Sequence, residues 1–304
     1  MRVLISGASG LIGTALAKSL RSRGDEVVSL VRPQGHEVSG STVEWDPSAG
    51  QIDRTALDAI GPLGAVVHLA GAGIADKRWS QERRDEIMES RRASTSLLAA
   101  SLGDLAERPL ALISGSAIGI YGNRGDEIIT EESSLGEDFL AEVCREWEAA
   151  AAPAIDAGIR TAFIRTGIVL ATEGGALAKQ LPLFKAGLGG KLGPGSQWLS
   201  WITLDDEVAA ILHLIDTTSL EGAFNLTAPD PVTNAHFTTA LGHLLHRPTF
   251  LSVPAFALRA ALGAQLVDDA LLASQRVHPS RLEASGFVFG SPVIDGALKE
   301  VLGR

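Results

Sequence analysis

The sequence predicts an α/β protein, a doubly wound parallel sheet with a smaller C-terminal substrate domain, and three observations carry that expectation. Residues 2 to 32 fit a strand, a glycine turn, a helix and a second strand into one βαβ unit. Strand-like and helical runs then alternate as far as residue 167, the rhythm of a parallel sheet covered on both faces. The predicted strands run out into small or polar residues at Leu69 to Gly71, Ser114 to Ser116 and Arg165 to Gly167. Ligands of such sheets bind beyond the carboxyl ends of the strands, so these three segments are expected to share a cleft.

In the opening unit, Val3, Leu4 and Ile5 form a short apolar strand, and glycines at G-x-x-G-x-x-G spacing follow directly. Leu11, Ile12, Ala15, Leu16 and Leu20 recur at helical spacing, Gly24 stops the helix, and Glu26 to Val31 reads as the second strand. Gly7 permits a tight bend, Gly10 lets the backbone approach a diphosphate, and Gly13 lets the helix pack closely. The diphosphate would meet the free N–H groups and positive dipole end of the helix that starts near Leu11. Gly7, Ser9, Gly10, Leu11, Ile12 and Gly13 are therefore the expected diphosphate contacts. An acidic residue at the end of the second strand would hold a ribose 2′-hydroxyl; Arg32 stands there instead. A guanidinium pairs well with phosphate, which favours NADP(H) over NAD(H), whereas the bland alternative is a solvated arginine.

Further along, Val43 to Trp45 is a strand before Asp46-Pro47, and Ala65 to Leu69 leads into Ala70-Gly71. Ser80 to Leu102 and Gly136 to Ala157 read as helices; Leu110 to Ser114 and Thr161 to Ile164 read as strands. Asp46, Leu69, Ala70, Gly71, Ser114, Gly115, Arg165, Thr166 and Gly167 join the expected cofactor contacts by their places at strand ends. Residues 1–167 are assigned to the nucleotide domain and 168–304 mainly to the cap, with a possible returning segment around 198–228 and a helical part at 248–304. The glycine-rich run from Gly187 to Gly195 lacks the spacing and the hydroxyl of a phosphate loop, and is read as a mobile flap over the cleft.

Composition narrows the class. The 304 residues, 45% hydrophobic, are enough to bury a substantial core. A net charge of −10 argues against nucleic acid or an anionic membrane as a general partner. Cys144 is the only cysteine, so no internal disulfide forms, and no apolar run approaches the roughly 18 residues of a membrane span. The start of the chain lacks the layout of a signal peptide; a cytoplasmic protein is expected, with a homodimer as the default assembly.

With the glycine turn, Ser114 to Gly122 and Arg165 to Gly167 in place, the chain resembles the extended short-chain dehydrogenase/reductases. It is closer still to an atypical subgroup of epimerase family proteins, nucleoside-diphosphate-sugar epimerase-like, in the stretches Ala75 to Trp79, Asp138 to Cys144, Gln197 to Trp201 and Asn225 to Pro229. The resemblance spans essentially the whole chain, including a C-terminal domain of unknown function from about Pro248. It implies a Rossmann domain, a C-terminal substrate domain and NADP in the cleft. It also implies that Arg91 joins the expected cofactor contacts, from a position on the helix beside the nicotinamide end. The superfamily moves its proton with a Tyr-x-x-x-Lys pair, in which the lysine lowers the tyrosine's pKa while a serine holds the substrate carbonyl. Here the one tyrosine, Tyr121, is followed four residues later by Gly125, and the helix that should carry the pair offers Phe139, Leu140, Glu142, Val143 and Cys144.

The candidate chemistry is accordingly sparse. Ser116 either donates to a carbonyl oxygen or satisfies its own turn. Tyr121 either lines the substrate side or packs, and its phenol would need a cationic neighbour to act as an acid. Glu142 and Cys144 sit on the helix of the missing pair; the bland readings are a solvated glutamate and a buried thiol. Lys77, Arg78 and Trp79 could receive an anionic substrate or form an ordinary charged loop. Trp198 and Trp201 are placed on the substrate side. His236, His243 and His246 are read as solvated, and no metal site is expected. Two functions fit: an NADP(H)-dependent oxidoreductase or epimerase acting on a small carbonyl or sugar-type substrate, and a non-catalytic NADP(H)-binding sensor that lost the proton relay.

Overall fold

A computed structural model of the chain describes residues 1–33 and 40–304. The opening unit is β1 (Arg2–Ser6), α1 (Leu11–Ser22) and β2 (Glu26–Val31), followed by β3 (Ser41–Asp46), β4 (Gln51–Ile52) and α2 (Arg54–Ala59). Next come β5 (Ala65–His68), α3 (Gln81–Gly103), β6 (Ala111–Ala117) and α4 (Phe139–Ala149). Two later strands, Arg160–Thr166 and Gly222–Leu226, complete a single eight-stranded sheet. Its order is Gly222–Leu226, Arg160–Thr166, β6, β5, β1, β2, β3, β4, parallel throughout except for the β3–β4 pair. The chain winds outward from β1 in both directions, so the sheet's switch point lies between β1 and β5.

Alternating residues of each strand serve opposite faces. Val3, Ile5, Val67, Ile113 and Ile164 pack with Leu16 and Leu20 of α1 and with Ile211 and Leu214 of the helix Leu204–Asp216. Leu4, Val28, Val66 and Leu112 pack on the other face with Leu98 and Leu102 of α3. Residues 204–226 thus return from the cap to the sheet, as helix and edge strand.

The cap has its own core, in which Leu177, Phe184, Trp201, Phe237, Leu241, Ile294 and Leu298 meet. Asp206 fastens the C-terminal segment, accepting from the backbone N–H groups of Gly290 (2.7 Å) and Ser291 (3.0 Å). Among the described residues no helix is long and apolar enough to cross a membrane.

Three local expectations change. The expected helix from 136 to 157 is two, Phe139–Ala149 and Ala152–Asp156, because Pro153 has no N–H to continue the first. Strand β6 runs on through Gly115 and Ser116, held by pairing with Arg160–Thr166, so these two are not a turn beyond the strand. The segment expected to be a flap is pinned: Gly190–Leu192 pairs in parallel with Leu251–Val253, and the Leu192 N–H donates to Asn234 Oδ1 at 2.8 Å.

Candidate functional site

The glycine turn is built as its spacing demands. Gly7 adopts φ +72°, a left-handed conformation that L side chains rarely take. A Cβ on Gly13 would come within 2.2 Å of the Gly7 carbonyl oxygen, so the close packing there is of helix on turn. A Cβ on Gly10 would meet only that same oxygen, at 3.3 Å, leaving open space outside the turn. Helix α1 has no side-chain cap and no acidic residue in its first turn, whereas α2, α3 and α4 are capped by Asp53, Ser80 and Asp138. Its first N–H groups therefore stay available to an anion.

That helix end opens on a cavity of about 340 Å³ lined by Gly7 to Gly10, Leu30, Val31, Arg32, Trp45 and Leu69 to Gly71. Arg32 is exposed, and its charge helps to hold the Asp46 carboxyl below its ordinary range. The larger cause is hydrogen bonding from Ser48, whose hydroxyl donates to Asp46 Oδ1. Asp46 Oδ1 thus closes the turn after β3 and also accepts from the N–H groups of Ser48 and Ala49. Beneath the cavity, the Leu69 and Ala70 N–H groups donate to Ser6 Oγ, which bonds His68 Nδ1 at 2.6 Å. Burial drives His68 down to about 3, so this support stays uncharged at any ordinary pH.

A second cavity of about 220 Å³ continues the cleft, lined by Ile74, Arg91, Ala117 to Gly119, Leu140, Val143, Cys144, Trp147, Thr166, Gly167, Asp269, Ala270 and Gln275. The two are neighbours, because Gly71 of the first lies against the Arg91 side chain of the second; a Cβ on Gly71 would be 3.4 Å from it. Arg91 Nη1 donates to the Ala72 and Ile87 carbonyls, both at 3.0 Å, and its guanidinium stacks 4.8 Å from the centre of the Trp147 ring.

Several expected contacts lie elsewhere. Ser116 Oγ donates to Glu148 Oε1 at 2.7 Å, Arg165 grips the same carboxylate, and Arg165 Nη1 donates to Tyr121 Oη at 2.9 Å. Tyr121 in turn donates to Asn225 Oδ1 at 2.7 Å, and Asn225 Nδ2 to the His278 carbonyl. Ser116, Tyr121 and Arg165 are thus engaged in a buried network that ties the sheet to the cap. Burial raises the Tyr121 phenol above its ordinary value even with Arg165 beside it. Ser114 is fully buried within β6 and Gly115 packs against Trp147, so neither lines the two cavities.

Glu142 is exposed on α4 and lines neither cavity. The Cys144 thiol does line the second cavity, but burial pushes it up to about 12, which leaves it an inert thiol. Lys77 and Arg78 are exposed on the loop before α3, while Trp79 donates to the Ile74 carbonyl and packs edge-on against Phe139. Trp201 is buried in the cap core with Nε1 bonded to the Asp230 carbonyl, and Trp198 is held by Asp126 and stacked under Arg276. Neither lines the two cavities.

Asp269 has no local sequence signal, because only the folded cap brings it beside α4. The same holds for Glu207, whose Oε1 accepts from Thr166 Oγ1 at 2.8 Å and whose Oε2 is buried without a partner. Complete burial pushes Glu207 up to about 8. Among the described residues no three His, Cys, Asp or Glu side chains gather to hold a metal ion.

Sheet order, glycine turn and divided cleft define a nucleotide-binding protein of the extended short-chain dehydrogenase/reductase type. The chain belongs to the NAD dependent epimerase/dehydratase family, whose model matches residues 3–226, and a second model, a domain of unknown function (DUF1731), matches 253–301. Epimerase family protein ML0860 of Mycobacterium leprae is 43% identical over 97% of this chain and 94% of its own length. Human epimerase family protein SDR39U1 is 33% identical over 99% of this chain and 100% of its own length. The crystal structure of human SDR39U1 (isoform 2) with NADPH superposes with a TM-score of 0.89, covering 100% of both chains at 31% identity.

Proposed function

We propose that the protein is an NADP(H)-dependent oxidoreductase or epimerase acting on a small carbonyl or sugar-type substrate. The observation that carries this reading is the Gly71–Arg91 contact, which sets the two cavities side by side, one lined by Gly71 and the other by Arg91. The first cavity offers the uncapped end of α1 to a diphosphate and Arg32 to a 2′-phosphate. The NADPH reported in the human SDR39U1 structure supports the same choice of cofactor. In the second cavity the bound nicotinamide would supply or accept hydride, while Arg91 and the apolar walls orient the substrate and exclude water.

A second reading, a non-catalytic NADP(H)-binding sensor, is favoured by the engagement of Ser116 and Tyr121 in the buried network. A panel of aldehydes, ketones and nucleotide sugars separates the two when cofactor oxidation and epimerised product are both followed. Turnover on any member supports the enzyme; tight NADPH binding with no turnover on all of them supports the sensor.

A further inference from the structure

Resting on the oxidoreductase reading, we propose that Asp269 exchanges the proton with substrate oxygen, and that the substrate is a small uncharged carbonyl compound with an apolar body. Elimination within the second cavity points to Asp269. Arg91 keeps its proton at any working pH, and Gln275 has no proton to give in this range. The Cys144 thiol is pushed up to about 12, and the Thr166 hydroxyl is engaged with Glu207. Asp269 is the one carboxyl of that lining, and so its one remaining general-acid candidate.

Its setting suits the task. Asp269 belongs to the π-helical turn Val267–Leu271, a rare backbone form that concentrates at functional sites. The charged and titratable groups around it come from three elements: Asp268 on its own turn, Asp138 at the N-cap of α4, and Arg91 with Cys144 across the cavity. Asp268 is neutralised by Arg259 at 2.8 Å. Burial first, and then the like charge of Asp138, raise Asp269 above its ordinary range and favour the protonated carboxyl, against a hydrogen bond from Gln265 that favours the ionised one.

The cavity also argues against a nucleotide sugar. Its 220 Å³ falls below the roughly 300–1,000 Å³ of sites for drug-sized ligands. Ile74, Ile118, Leu140 and Val143 give it apolar walls, and Arg91 is its one cation, with Nη1 already engaged. Two phosphates would have to leave water with little to meet them. In the reduction, the carbonyl carbon accepts hydride from the nicotinamide, the C=O π pair moves onto oxygen, and that oxygen takes the Asp269 proton. The products are an alcohol and NADP⁺, and water returns the proton to the carboxylate.

Benzaldehyde, cyclohexanone and UDP-glucose are the probes, each assayed with NADPH across pH in the wild type, Asp269→Asn, Asp269→Glu and Glu207→Gln. The wild type is expected to reduce the two small carbonyls, with kcat falling as pH rises through the Asp269 titration. Asp269→Asn should lose about 100-fold or more in kcat and that pH limb, within the usual range for a general acid, while NADPH affinity is unchanged. Asp269→Glu should restore part of the rate with a shifted limb. An unaltered profile in Asp269→Asn, loss of the limb in Glu207→Gln, or preference for UDP-glucose overturns the proposal and leaves the NADP(H)-enzyme reading standing. NADPH binding without reaction on any probe overturns that reading, and the proposal with it.

Discussion

Arg165 holds Glu148 through two parallel hydrogen bonds, Nε to Oε1 at 2.8 Å and Nη2 to Oε2 at 2.9 Å, with both side chains largely shielded from solvent. The pair is the hub to which Ser116 and Tyr121 attach. Replacing Arg165 by Leu would leave the largely buried Glu148 carboxylate with the Ser116 hydroxyl as its remaining donor and no counter-charge, and would leave the Tyr121 oxygen without the donor it now has. Breaking a buried pair in this way costs about 3–5 kcal/mol. Urea denaturation of Arg165→Leu checks it; a loss below about 1 kcal/mol, typical of an exposed pair, would show that the pair does not hold α4 to the sheet.

The three glycines should behave differently. Gly13→Ala drives a methyl into the Gly7 carbonyl and is expected to destabilise the fold by about 1–3 kcal/mol as an overpacked site. Gly10→Ala meets little within the protein, so its melting temperature should stay near the wild type while NADPH binding is lost. Thermal melts with and without NADPH test both. Equal destabilisation of the two variants would show that Gly10 serves packing.

Glu207 makes stability depend on pH in a stated direction. Its folded pKa of about 8 lies above the ordinary carboxylate value of 4.5, so the native state binds more protons than the unfolded state between these limits. Stability therefore declines as pH rises from about 4.5 to about 8 and levels off beyond. Glu207→Gln keeps an acceptor for Thr166 and carries no charge. Relative to wild type, it should gain little at pH 4.5 and a few kcal/mol at most above pH 8. A constant difference in melting temperature across that window would contradict the buried carboxyl.

Features fixed by local chemistry were legible in the sequence. Gly7, Gly10 and Gly13 with the flanking apolar runs announced the turn, the helix and the parallel sheet, because bend, approach and packing each require a missing side chain there. Arg91, expected near cofactor or substrate from the family resemblance, lines the second cavity. Contacts made across the fold were not legible. Ser116 and Tyr121 looked like chemistry until Glu148, Arg165 and Asn225, far apart in the chain, proved to be their partners. Trp201 looked like a substrate contact, and the cap core claimed it through Phe237 and Ile294. Asp269 gave no signal, since its surroundings are assembled by α4 and the cap together.

In the proposed function, a nicotinamide dinucleotide with a 2′-phosphate lies along the glycine turn, its extra charge met by Arg32. Calorimetric titration of NADPH and NADH into the wild type and Arg32→Glu tests it most directly. A charge-assisted hydrogen bond is worth about 1.5–3 kcal/mol, so NADPH should bind the wild type about ten- to a hundredfold more tightly than NADH. The gap should vanish or invert in Arg32→Glu. Equal affinities for the two in the wild type would contradict the role of Arg32, and no binding of either would contradict the account as a whole.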